Sequence, residues 1–274
     1  YGNTTQASRT ASLCPLVVEV CASGCDAASV SGALALVDDP PTVHSCVVIR
    51  DSGSYNEELT VNNTITNSSI TIMGLPGQSP ELTATNPSAT VTIQSASTTL
   101  RNVKVAAVNS GVYGINISAP YVTIDDVEIV DASGFFTAAL ITAAAYAPKI
   151  KNSTLSTGGA ASGINLSSAD SFLIENTTID TTNTNAMSVN LSSTGTIRGV
   201  TGVTTNVASL SIDSKGLHTI TQSTFTAGTS GVAAVTMINV SSISINYSSL
   251  GGLTATNVDD LTMFYSTVTG LDMA

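Results

Sequence analysis

Cys14, Cys21, Cys25 and Cys46 are the first residues whose types and spacing could do chemistry. They are even in number and confined to one N-terminal segment, the pattern of two disulfides. A zinc site would need paired Cys-x-x-Cys or Cys/His spacing. Here three residues separate Cys21 from Cys25, and only His44 lies nearby. Two disulfides are therefore expected, in any of the three pairings that four cysteines allow.

Among the carboxylates, the densest run is Asp125, Asp126 and Glu128, a set that could hold calcium or act as acid and base. Three cations, Arg101, Lys104 and Lys151, fall about one repeat before or after it. Charge compensation is the favoured reading of that spacing, and no metal or other cofactor is expected. Asp259 and Asp260 read as turn formers. His218 stands alone and His44 lies between Pro41 and Cys46, so both histidines are assigned structural or surface roles. Serine is abundant, but no G-x-S-x-G elbow occurs.

These side chains sit on a repeat of six residues: LRNVKV from Leu100, IDDVEI from Ile124, IKNSTL from Ile150, IENTTI from Ile174, IRGVTG from Ile197, ITQSTF from Ile220, INYSSL from Ile245 and MFYSTV from Met263. Successive starts lie 24, 26, 24, 23, 23, 25 and 18 residues apart. A period in the low twenties built on short β-branched runs predicts an all-β parallel β-helix, a solenoid whose coils stack about 4.8 Å apart. The first position, Leu100, Ile124, Ile150, Ile174, Ile197, Ile220, Ile245 and Met263, is an aliphatic stack and must face inward. At the sixth position Val105, Ile129, Leu155, Ile179, Phe225, Leu250 and Val268 repeat this, broken by Gly202. The third position places Asn102, Asp126, Asn152 and Asn176, followed by Gly199 and Gln222, where the chain must bend. Small hydroxyls fill the fourth at Ser153, Thr177, Ser223, Ser248 and Ser266. The second position reads Arg101, Asp125, Lys151, Glu175 and Arg198, a ladder of alternating sign that fixes register more than it supplies stability. Thr71, Thr123, Thr196, Thr219 and Thr262 form a partial outward column, interrupted by Lys149 and Leu173, and no flat ice-binding face is expected from it.

Composition agrees. Hydrophobic residues make up 42% and charged residues 10% of the 274-residue chain, too apolar for disorder. Its net charge of −11 without a basic patch argues against nucleic acid, and no apolar run is long enough to span a membrane. The start at Tyr1 is what a processed secreted protein would show, so a secreted or cell-surface location is expected. Residues 1–13 are expected to form a polar extension and 14–274 a single domain, with a disulfide-bonded cap over 14–60 and coils over 61–274. In the cap, Asp26 is expected to start a short helix through Val30, Leu34 and Val37 that Pro40 and Pro41 end.

That cap helix, followed by VVIRDSGSYNEELTV and SITIMG with Gly53, Tyr55 and Glu57 in a G-x-Y-x-E run, resembles the opening of pectin-esterase and pectate-lyase-like right-handed β-helices. The resemblance implies their fold and, for an active relative, polysaccharide chemistry. The aspartate, arginine and glutamine set of such an esterase, and the aspartate, histidine and Arg-x-Lys set of a polygalacturonase, have no counterpart here. The expectation is therefore a non-enzymatic extracellular structural protein that self-assembles head-to-tail into a filament, sheath or surface layer. Its partners would be copies of itself, joined through ends marked by Tyr1, Thr4, Leu271 and Met273. The alternative is a carbohydrate-binding or carbohydrate-active β-helix or an adhesin that meets surface glycans, with Tyr113, Tyr121, Tyr146, Tyr247 and Tyr265 as exposed aromatic candidates.

Overall fold

The computed structural model describes residues 14–64, 68–131, 133–190, 193–229 and 231–273. Nearly every strand pairs in parallel with the strand about one period later, producing three sheets wound around one core. The six-residue repeats form an anchor sheet that turns through the bend into a second sheet. The long strands Thr98–Ala107 and Thr123–Asp131 run through that bend and fuse the two into one hydrogen-bonded network. A ten-stranded third sheet completes each coil.

Burial follows the columns. Val18, Val47 and Ile72 extend the first-position stack toward the N-terminus, in register with Leu100 and the isoleucines beyond it. All are buried except Met263, which is half-buried. Burying each aliphatic side chain is worth about 1.5–3 kcal/mol, so this column and its partners are the main source of stability. The break at Gly202 is filled by its neighbour: a Cβ there would stand 2.6 Å from Phe225 Cδ1, so glycine leaves room for the ring.

The bend is a left-handed backbone position in every coil from Asn102 on, with φ of 50° at Asn102, 57° at Asp126, 52° at Asn152 and 47° at Asn176. Just after it, hydroxyls do more than fill space. Ser153, Ser223 and Ser248 each donate to the carbonyl two residues earlier, at 2.8, 2.9 and 2.9 Å. Each also accepts, at 3.2 Å, from a backbone N–H of the preceding coil: Val127, Val200 and Ser223. Buried N–H groups freed by the bend are thereby satisfied.

From the coil of Leu100 on, length variation is concentrated in one connection. From the third sheet to the next anchor those coils take 9 residues (Ile141 to Ile150) or 10 (Leu253 to Met263), whereas the opening coil takes 13 (Leu59 to Ile72). From the second sheet to the third it ranges from 12, Ile129 to Ile141, down to 3, Leu250 to Leu253.

The N-terminal end differs from expectation in three ways. Stacking starts well before residue 61, because Leu16–Val20 and Ser45–Ile49 already belong to the anchor sheet. The helix spans Val30–Leu34 and stops short of Val37, whose N–H closes a tighter turn onto Leu34 at 3.1 Å. Its N-cap is Ser29, whose hydroxyl accepts from Gly32 N–H at 3.0 Å. Asp26 instead accepts from Glu19 N–H, tying down the first strand. The helix buries Val30, Ala33 and Leu34 and contacts the opening strands, covering the first coil. Glu57 accepts from Val30 and Ser31 N–H at 2.7 and 2.9 Å, satisfying two donors that a helix start leaves free. Tyr55 donates to Asp51 Oδ1 at 2.7 Å, and this bond, the largest influence, holds the Asp51 carboxyl below its ordinary range. The G-x-Y-x-E run is thus the mount of the cap.

Candidate functional site

Two outward columns of the anchor sheet floor a groove of about 770 Å³. One column runs Cys46, Thr71, Thr99 and Thr123; the other runs Met73, Arg101, Asp125 and Lys151. Coils separated by a hundred residues of sequence therefore share one surface. The Cys14–Cys46 disulfide lies at the N-terminal end, where Met73 packs against it. The second disulfide joins Cys21 to Cys25, which settles the pairing that spacing left open. His44 Nε2 stands 3.6 Å from Cys46 Sγ and 3.4 Å from Thr71 Oγ1, while its Nδ1 meets Ser69 Oγ.

Electrostatics concentrate at the other end. Of the eight basic residues in the chain, Arg101, Lys104, Lys149 and Lys151 fall on three consecutive coils. Asp125, only 8% exposed, lies between two of them: Arg101 Nε is 3.5 Å and Lys151 Nζ 3.4 Å from its Oδ2, and Asn152 Nδ2 donates to Oδ1 at 2.8 Å. One carboxylate thus faces two cations, with exposed Lys149 beside Thr123 in register. Lys104 and Glu128 pair at 3.2 Å around the bend, where they line a smaller pocket with Asp126 and Asn152.

The predicted ladders are largely brought together. Glu175 pairs with Arg198, and Asn176 Nδ2 donates to Asn152 Oδ1 at 3.3 Å. Asn102 breaks that side-chain chain by donating to Gly74 and Leu75 carbonyls. The threonine column is as interrupted as its sequence, with Lys149 and Leu173 in the register between Thr123 and Thr196. Tyr1 and Thr4 lie outside the described residues, whereas Leu271 and Met273 are exposed on the last strand of the third sheet. His218 is in the core, beside Phe172 across the slot left by Gly195. No hydrogen bond of normal geometry reaches its ring nitrogens, and burial pushes its pKa down to about 4, weakly opposed by the Ser214 backbone.

Sequence reasoning passed over two members of the bend column. Tyr247 and Tyr265 take φ of 51° and 49° in register with Gln222. The hexamer spacing marks the position, but aromatic residues give no local signal for this backbone.

A family model described as a right handed beta helix region matches residues 89–236, more than half of the chain. The chain belongs to the right-handed β-helix family. Among solved β-helices, an alginate lyase from Paenibacillus sp. strain FPU-7 superposes with a TM-score of 0.61 at 11% identity, covering 94% of this chain and 98% of that one. A pectin methylesterase from Aspergillus niger gives 0.53 at 16% identity, covering 92% and 85%. At such identities the likeness is one of fold. No curated protein sequence matches the chain. Chemically, the groove of this β-helix offers two cations around one committed carboxylate, a second carboxylate at Asp126, hydroxyls along the floor and a histidine at one end. Among the described residues, no helix is long and apolar enough to cross a membrane.

Proposed function

We propose that the protein is a non-catalytic, extracellular carbohydrate-binding β-helix that holds an acidic polysaccharide along the anchor-sheet groove. The observation that carries this reading is the cluster of Arg101, Lys149 and Lys151, one cation more than the carboxylates Asp125 and Asp126 beside them, at one end of an elongated groove on a chain of net charge −11. A carboxylated sugar could accept from Arg101 and Lys151, and threonine hydroxyls lie along its path. Asp125 already accepts from Asn152 and is paired with two cations, which suits an electrostatic role better than acid–base work. Structural neighbours named for alginate and pectin support polysaccharide as the class, and two disulfides suit an oxidising, extracellular setting. Affinity electrophoresis in gels containing polygalacturonate tests the reading. Retardation that salt weakens and R101A/K151A abolishes is expected, with no new reducing ends or unsaturated products released. Free migration at low salt, or product release, would overturn it.

Self-assembly is the second reading, and one observation favours it. Leu261, Met263 and Val268 are half-buried on columns that are buried in the preceding coils. A partner coil there would complete their burial and cover the strand edges. Head-to-tail stacking needs a free first coil as well, and the helix Val30–Leu34 covers that coil. Sedimentation velocity over a wide concentration range decides between these arrangements. A single unchanging monomer species would remove assembly altogether.

A further inference from the structure

We propose that the last two bends carry a second carbohydrate site, a platform for a neutral sugar chain built from Tyr247, Phe264 and Tyr265. Earlier coils place Asn, Asp, Gly or Gln at the bend, residues that take positive φ cheaply or with local hydrogen bonds. Tyr247 and Tyr265 hold the same backbone at φ of 51° and 49°, where a bulky side chain is an outlier. Such outliers persist where something is gained from them, and the gain here is exposure of ring surface. Tyr247 is 59%, Phe264 53% and Tyr265 73% exposed.

The rings form one cluster rather than three separate side chains. Tyr247 stacks on Tyr265 with centroids 5.3 Å apart, and Phe264 meets Tyr265 edge-on at 4.2 Å. The ligand class follows from the surroundings. The outward neighbours nearest the rings on these strands and in register with them are Thr219, Thr221, Ser244, Asn246 and Thr262, hydroxyls and an amide. The charge and the aliphatic side chain of the same strands, Asp260 and Leu217, stand at their far end, beyond those hydroxyls. Asn246 Nδ2 already donates to Ser244 Oγ at 2.9 Å, so the amide oxygen is oriented by a fixed partner. Aromatic faces beside uncharged donors and acceptors match a pyranose, whose C–H faces are apolar and whose rim is hydroxyl. A protein interface of this kind would be expected to add aliphatic surface around the rings, and an acidic sugar would require cations.

The inference rests on the carbohydrate-binding reading for its class of ligand and uses no residue of the groove. Affinity electrophoresis of the full chain in hydroxyethyl cellulose, laminarin and galactomannan, with polygalacturonate in parallel, tests it. The variant Y247N/F264T/Y265N restores bend and strand residues of types found in earlier coils. It should keep or raise the thermal midpoint and keep polygalacturonate retardation, while losing about tenfold or more in affinity for the neutral polymer that retards wild type. R101A/K151A should do the reverse, and a wild-type chain that a neutral polymer retards but polygalacturonate does not would sink the groove reading and leave this one standing. Retardation by none of the neutral polymers would overturn the platform, as would equal retardation of the aromatic variant. So would concentration-dependent self-association in the absence of glycan that the triple substitution abolishes, because a second copy would then be the occupant.

Discussion

From Arg101 to Arg198 the outward column beside the bend alternates in charge; from Thr221 to Phe264, on the same backbone and in the same register, it carries none. The first inward column is aliphatic through both regions, and both bends are left-handed. Winding the chain therefore depends on inward side chains and bend geometry, while the outward face is free to take up different chemistry coil by coil.

Four experiments break or sharpen that contrast. The largest effect belongs to what the regions share: Ile174→Ala and Ile245→Ala should each cost about 2–5 kcal/mol in urea unfolding, and half-buried Met263→Ala clearly less. A charged-region variant that unfolds more easily than its counterpart would show that surface charge, not the core, sets local stability. Next comes pH. His218 is held neutral in the fold, with a pKa near 4 against 6.5 for the free side chain. Its contribution is intact above pH 6.5 and is lost as pH falls toward 4, by about 3 kcal/mol. Thermal melts across that range should show the loss, and His218→Leu should flatten it, marking an acid sensitivity confined to the uncharged region. Asp125→Asn comes third. Leaving Arg101 and Lys151 without their counter-ion should lower stability by about 1–3 kcal/mol while strengthening retention on polygalacturonate, most of all at low salt. Stability and affinity falling together would mean that the cations serve the fold alone. The smallest effect is Tyr265→Asn, which should raise stability by about 0.5–1 kcal/mol in the same unfolding assay, since asparagine adopts this backbone readily. A loss would mean that the rings support the last coil.

The sequence makes the stack legible because a solenoid repeats its constraints. Ile124, Ile150 and Ile174 announce one inward column, and Asn102 to Asn176 announce the bend, each residue type answering a local demand. Demands met by distant partners leave fainter marks. Ser29 and Glu57 share the helix start, yet only proximity in space reveals Glu57 as a cap, while Asp26 satisfies the local rule and serves another strand. The groove draws on residues from Cys14 to Lys151, and its cation cluster becomes visible only once Asp125 is seen between Arg101 and Lys151. Tyr247 and Tyr265 escaped because their backbone contradicts their residue type, which is why they point to function.

The uneven connection between the second and third sheets has a consequence for how such a molecule can change. From Leu100 on, 5 residues across the bend (Leu100 to Val105) and 9 or 10 into the next anchor stay constant, and hydroxyl rungs lock one coil to the next. The remaining connection, 12 residues in one coil and 3 in another, bears no such lock. Beyond the opening coils, insertions are therefore cheapest along one seam of the cylinder, so this seam is where grafted loops would add new specificity without putting the coils out of phase.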